Sequence, residues 1–336
     1  RISAPLAAAA AALRSSGRRV SSQPRAAGAG GAVDIDIATA TRFQTARTIT
    51  FAGMVMGYAT YYFTRLSFTY VGINMRNDLG LTMVQLGAIS SIFPVAYMNS
   101  KFISGLLSDL LGSPVLIFSL GLILTGLLNI GFAAGNTVPW FTTFWVLNGL
   151  FQGCGATPCN KMLVNWFAAE VRGKWWSGWN ASHNIGGFLI PLLAGGIAGS
   201  YGWRWGMRVP GIIAIFMGLF CFRYMQSSPE KLNLPSAEAQ YCVANDLDMD
   251  TTVEECVVES KDKVEEDDEG NIFMLLLRNS FLRYMALMHF FIYFIRQGVL
   301  NWAHFYIMDN FGVSAIEATA RVSGFELGGL FGCIIS

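Results

Sequence analysis

Apolar positions in this chain run on instead of alternating. From residue 48 onward, long apolar stretches recur between short polar joints. A helix that crosses a bilayer needs about 20 predominantly apolar residues. Hydropathy predicts about eight such spans, at 48–75, 83–108, 115–134, 139–167, 175–199, 205–226, 279–308 and 314–336. The sixth and seventh are separated by different material, SSPEKLNLPSAEAQYCVANDLDMDTTVEECVVESKDKVEEDDEGN. It is acidic, contains Pro and holds few large apolar residues, so it reads as a solvated linker. The plan is two helical bundles: a tail at 1–44, a six-helix bundle at 45–226, an acidic loop at 227–272 and the start of a second bundle at 273–336.

Composition supports an all-α membrane protein. Residues are 53% hydrophobic and 13% charged, against about 25% charged in soluble domains. The formal net charge of +1 decides nothing, because regional excesses cancel. No basic face with interleaved aromatics occurs, which argues against a nucleic-acid partner. The cysteines at 154, 159, 221, 242, 256 and 333 form no CxxC pair and read as small buried thiols. The tail RISAPLAAAAAALRSSGRRVSSQPRAAGAGGAV has five arginines and no acid before Asp34. That composition resembles an organelle transit peptide and suggests a plastid or other organelle envelope, with endoplasmic reticulum or plasma membrane as alternatives. Lys and Arg set orientation. With the N-terminus inside, that side collects Arg42, Arg47, Arg172, Lys174, Arg223, Lys231, Arg278 and Arg283, and the other side Arg76, Arg204 and Arg208.

Against this apolar background Arg65 stands out, the one charge in a stretch long enough to span. Span seven repeats the arrangement: Tyr62-Phe63-Thr64-Arg65 in the first span matches Tyr293-Phe294-Ile295-Arg296. Arg296 is 13 residues from Arg283 and 13 from Asp309, which at about 1.5 Å per residue puts it near the midplane. An arginine there costs about 2.5–3.5 kcal/mol on insertion scales and is kept where it faces a wet cavity and has work to do. Two permanently charged, planar donor forks, one per bundle, match the oxygens of a phosphate dianion. The rival reading is a structural ion pair with Glu326, the acid within span eight, which could also hold an arginine until substrate displaces it.

Other polar groups join this picture. Lys101 lies eight residues from Asp109; it either snorkels toward the interface or lines the cavity. His183 has Asn180 and Asn184 within one turn, and a titratable ring beside a phosphate site could tune which ionic form binds. Tyr58, Tyr62 and Arg65 are spaced i, i+4, i+7 and share a face, and Trp179 recurs near the charged groups. The glycines at 153 and 155, 186 and 187, and 195 and 196 suit close helix packing. No HExxH, no GxSxG and no Ser/His/acid set appears, so the chain does not read as an enzyme.

The stretch from Arg172 to Gly187, RGKWWSGWNASHNIGG, fits RGx5WNx2HNxGG. It resembles the signature of the organophosphate:phosphate antiporter family, the glycerol-3-phosphate and hexose-phosphate transporters of the major facilitator superfamily. GYATYYFTR at 57–65, SKF at 100–102, GLFQGCGATPC at 149–159 and IYFIRQGVLNW at 292–302 agree. The resemblance implies the major facilitator fold, with Arg65 and Arg296 as paired phosphate-binding arginines, Lys101 and His183 as further site residues, and Tyr58, Tyr62 and Trp179 lining the site beside Asn180. It implies a monomer that exchanges inorganic phosphate for an organic phosphate by alternating access, with no metal or other cofactor. Two alternatives stand beside it: a sugar-phosphate sensor on the same fold, and a proton-coupled carrier using Glu326. The chain departs from the family pattern at GLLSDLLGSP, which lacks the loop motif's basic residues, and at Leu66 and Asn301, which replace an oppositely charged pair. Twelve spans are expected, and the sequence stops inside the eighth.

Overall fold

The computed structural model describes residues 37–245, 278–313 and isolated positions between 317 and 332. The transit-like tail, most of the acidic loop and Glu326 lie outside the described residues, as do Cys256 and Cys333. The described part is helical, with no strand among the described residues.

Helices α1 (Ile37–Leu79), α2 (Met83–Leu110), α3 (Pro114–Phe132), α4 (Val138–Gln152), α5 (Ala156–Trp166) and α6 (Ala169–Ile190) follow one another. A π-helical turn at Pro191–Gly195 leads into α7 (Gly196–Tyr201), and α8 (Trp203–Tyr224) closes the first bundle. Then come a 3₁₀ turn at Glu230–Leu232, α9 (Ala237–Asn245) and α10 (Ser280–Phe311). Helix α3 packs on α8, α1 on α8 and α6, and α2 on α4. The path is up and down. At one end Asp78, Asn136, Trp203 and Arg204 meet: Trp203 Nε1 donates to Asp78 Oδ2 at 2.9 Å, and Arg204 donates to Asp78 at 3.0 Å and to Asn136 Oδ1 at 2.5 Å. At the other end Trp166 donates to Gln226 O and Lys231 to Gly112 O.

Three segments, Pro114–Phe132, Ala169–Tyr201 and Trp203–Tyr224, are long and apolar enough to cross a membrane on their own composition. The remaining expected spans differ for a physical reason. Helices α1, α2 and α10 have the length, at 43, 28 and 32 residues, but polar residues dilute their apolar character. The expected fourth span is two helices broken at Gly153–Gly155. There the backbones of α2 and α4 touch: a Cβ at residue 153 would sit 2.5 Å from the Ser100 carbonyl carbon and 2.7 Å from Lys101 N. Ser100 and Ser104, one turn apart, donate to Gly149 O at 3.2 Å and Gly153 O at 2.9 Å, taking up carbonyls near the break.

The start of the loop corrects the expectation of a solvated linker from 227. Leu234, Ala237, Ala239 and Cys242 are buried, Asn165 donates to Ser227 O at 3.0 Å, and Arg172 pairs with Glu238 at 3.5 Å. The apolar positions of LNLPSAEAQYC were too few to register as a span yet enough to dock a short helix. Helix α1 likewise begins at Ile37, inside the expected tail. Of the described cysteines, Cys159, Cys221 and Cys242 are buried and Cys154 is half-buried, all as free thiols.

The core has two parts. One gathers Tyr61, Phe118, Leu122, Cys159 and Trp166; the other gathers Phe68, Phe132, Phe141, Trp145 and Trp203. Between them lies a buried polar belt. Asn129 donates to Ser67 Oγ at 3.2 Å, Asn148 to Asn129 Oδ1 at 2.7 Å, and Gln152 to Thr64 Oγ1 at 2.8 Å and Asn148 Oδ1 at 3.2 Å.

Candidate functional site

Arg65 is at the level of this belt, next to Thr64 and two residues before Ser67, but turned to a different face of α1. Its guanidinium carbon sits 4.9 Å from the Tyr62 ring centroid and 4.1 Å from that of Tyr97. Such cation–π contacts contribute about 0.5–2 kcal/mol each, more as water is excluded. Arg65 also donates to the Tyr97 hydroxyl. Its Nε is buried without a hydrogen-bond partner, and among the described residues no acid lies at ion-pair distance from it. A buried cation held by rings and left with a donor to spare is arranged to receive an anion.

Lys101 lies on the Tyr97 side of α2, beside Arg65. Its Nζ lies 4.6 Å from the Tyr97 ring centroid and donates to the same hydroxyl, although its side chain is exposed. Tyr97 therefore collects both cations, and sequence reasoning missed it. The signal was present: Tyr97 and Lys101 repeat on α2 the i, i+4 spacing of Tyr58 and Tyr62 on α1.

Helix α6 supplies the other wall. At Gly186 a Cβ would stand 2.6 Å from Ala59 O and 2.7 Å from Tyr62 Cβ, so only glycine lets α6 approach α1 this closely. One turn earlier on α6, His183 faces Tyr62, ring centroids 5.8 Å apart. Two turns earlier Trp179, buried, lies 4.7 Å from Tyr58, and Tyr58 stands 5.7 Å from Tyr62. Arg296, half-buried on α10, and Arg65 both act electrostatically on the His183 ring. The structure thus gathers Tyr58, Tyr62, Arg65, Lys101, Trp179, His183 and Arg296. Asn180 is half-buried on α6 and takes no part in these contacts. Tyr61, by contrast, is a packing residue, fully buried with its hydroxyl donating to Phe118 O at 2.8 Å.

Up-and-down helices in an apolar chain, a pseudo-repeat with one arginine in each part, and a match to the Major Facilitator Superfamily over residues 49–336 agree. The chain belongs to the major facilitator superfamily. It is therefore a multi-pass membrane protein of a transporter family and not an enzyme. It is 38% identical over 286 residues to a protein of Chlamydia trachomatis named "Probable hexose phosphate transport protein", covering 85% of this chain and 62% of that one. It is 33% identical over 282 residues to the "Membrane sensor protein UhpC" of Salmonella typhimurium, covering 84% and 61%. These relatives agree with the organophosphate:phosphate antiporter resemblance. The chain spans about three fifths of the length of the curated relatives it matches. Its fold is similar to a crystal structure of a bacterial homologue of the human lysosomal transporter Spinster, inward-facing and occupied, with TM-score 0.62 at 16% identity, over 85% of this chain and 60% of that one. At that identity the likeness concerns the fold alone.

Proposed function

We propose that the complete protein exchanges inorganic phosphate for an organic phosphate by alternating access, as a monomer, with a hexose phosphate as the organic partner and glycerol 3-phosphate as the alternative. The observation that carries this reading is that one guanidinium from the first bundle, Arg65, and one from α10, Arg296, both act electrostatically on the His183 ring. A phosphoryl dianion between them would offset two like charges that otherwise repel, so binding favours the closed arrangement over the open ones. Lys101 adds a third positive charge, and Tyr58, Tyr62 and Trp179 form the aromatic wall beside it. Relatives named for hexose phosphate transport support the substrate class. The basic, acid-free tail supports an organelle envelope as the membrane.

The test is counterflow of labelled phosphate in proteoliposomes holding the full-length protein. Arg65→Ala with Arg296→Ala should abolish uptake, and uptake that survives the pair refutes the reading. The relative named as a membrane sensor favours a second reading, a sugar-phosphate receptor on the same fold. Saturable binding of glucose 6-phosphate without any counterflow would select it.

A further inference from the structure

A cavity lies away from this cluster, at the end of the bundle where α1 begins. Its volume is about 460 Å³, within the roughly 300–1,000 Å³ of small-ligand pockets. Ser108, Thr157, Asn160, Lys161 and Trp176 line it, with Gly112 and Pro114 at the start of α3. None of these residues belongs to the cluster around Arg65.

Three observations bear on its occupant. Ser108 Oγ and Asn160 Oδ1 are buried without hydrogen-bond partners, and Ser108 is only 2% exposed. An unpaired buried hydroxyl and amide oxygen call for a polar guest. Lys161 Nζ reaches Gly105 O at 3.5 Å on one wall, and Lys231 holds Gly112 O at 2.8 Å at the rim, so positive charge stands on two sides. Helix α3, 19 residues long, opens at Pro114 with no side-chain cap from Ser113. The positive end of its dipole and its first unpaired N–H groups lie at the cavity wall. This setting repels a metal cation and suits an anion.

We propose that this cavity is a second anion site, built for one phosphoryl group and separate from the transport cluster. Lys161 and the Ser108 hydroxyl donate to phosphoryl oxygens, and Asn160 Oδ1 accepts from a hydroxyl on the phosphate or on its organic part. A soluble phosphate and a phospholipid headgroup share this chemistry.

The experiment uses the full-length protein carrying Arg65→Ala and Arg296→Ala, so that the transport cluster is silent whatever its role. Labelled inorganic phosphate is measured by equilibrium dialysis. Retention of phosphatidylglycerol, with phosphate-free dioleoylglycerol as control, is measured by native mass spectrometry. At least one phosphate-bearing probe should bind at one equivalent, and Lys161→Gln should weaken it at least about tenfold, the effect of losing one charged hydrogen bond. Lys161→Arg should restore binding to within about threefold of the parent, since the charge is kept. Ser108→Leu, which fills the cavity, should abolish binding in protein that remains monodisperse and helical. Inorganic phosphate binding identifies a soluble ligand; retention of phosphatidylglycerol alone identifies a lipid. If neither probe binds, or if Lys161→Gln and Ser108→Leu both leave binding unchanged, the proposal is overturned.

Discussion

Replacing Tyr97 separates two ways in which one residue serves two cations. Its ring centroid lies 4.1 Å from the Arg65 guanidinium carbon and 4.6 Å from Lys101 Nζ, and its hydroxyl accepts from both. The ring covers the guanidinium on one side and the hydroxyl takes one of its N–H groups, while Nε–H, buried without a partner, stays available to a ligand. Tyr97→Phe keeps the ring and removes the acceptor. A hydrogen bond to a charged group is worth about 1.5–3 kcal/mol, but water can replace it at the exposed Lys101, so the lower figure applies. That is roughly a tenfold rise in the phosphate KM. Tyr97→Ala also loses both ring contacts, at about 0.5–2 kcal/mol each, and should raise KM by about 100-fold or more. The assay is the initial rate of phosphate counterflow against external phosphate concentration. Tyr201→Ala, at an exposed position on α7, is the control expected to behave as wild type. A Tyr97→Ala protein with KM within about threefold of wild type would show that Tyr97 only fills space. Equal effects of Phe and Ala would remove the role of the ring.

Two further outcomes follow from the packing. Gly186→Ala forces a methyl against Ala59 O and Tyr62 Cβ; overpacking of about 1–3 kcal/mol exceeds the roughly 1 kcal/mol that Ala gains in helix propensity, so Tm should fall. Gly195→Ala, with nothing within 4 Å of its added carbon, should not lower Tm, and a Tm for Gly186→Ala at or above wild type contradicts the close-approach argument. The hydrogen bonds from Trp203 and Arg204 hold the Asp78 carboxyl below its ordinary range, so this clasp is fully present above about pH 4 and is lost as pH falls through the lowered value. Thermal unfolding between neutral and acid pH should show a shallower acid limb for Asp78→Asn, and an unchanged limb refutes the clasp.

Much of the site was legible because charge in an apolar span is rare enough to be informative singly. Arg65 and Arg296 could be named from their charge within apolar spans, His183 from the amides at 180 and 184, and the Tyr58–Tyr62 face from its spacing. Tyr97 could not be singled out as readily, since a tyrosine in an apolar helix is ordinary until its neighbours are known. At Gly153 the close packing was legible in the small residues, but the break of the helix beside it was not, because the sequence does not show that the Ser100 backbone crosses there. The docked segment at 230–245 was hidden by the acidic composition around it: burial of Leu234, Ala237 and Cys242 depends on a surface made by other helices. The belt was overlooked for the opposite reason, since single amides such as Asn129, Asn148 and Gln152 carry no charge to flag them.

That belt has a consequence for Arg65. Successive residues of a helix are about 100° apart, so Thr64 and Ser67 project to one side of α1 and Tyr58, Tyr62 and Arg65 to nearly the opposite side. Thr64 and Ser67 are both fully buried and bonded to Gln152 and Asn129. Each interhelical bond of this kind contributes only about 0.6 kcal/mol on average in a membrane, too little for the belt to act as glue. Misalignment is another matter. A rotation of α1 by one residue would leave Thr64, Ser67, Asn129 and Gln152 facing apolar neighbours, at about 1–3 kcal/mol for each unpaired group. The penalty for the wrong rotation is thus several times the gain from the right one. The belt therefore sets the orientation of α1 more than its stability, and in doing so it keeps a costly guanidinium aimed at Tyr97 and His183 instead of at lipid.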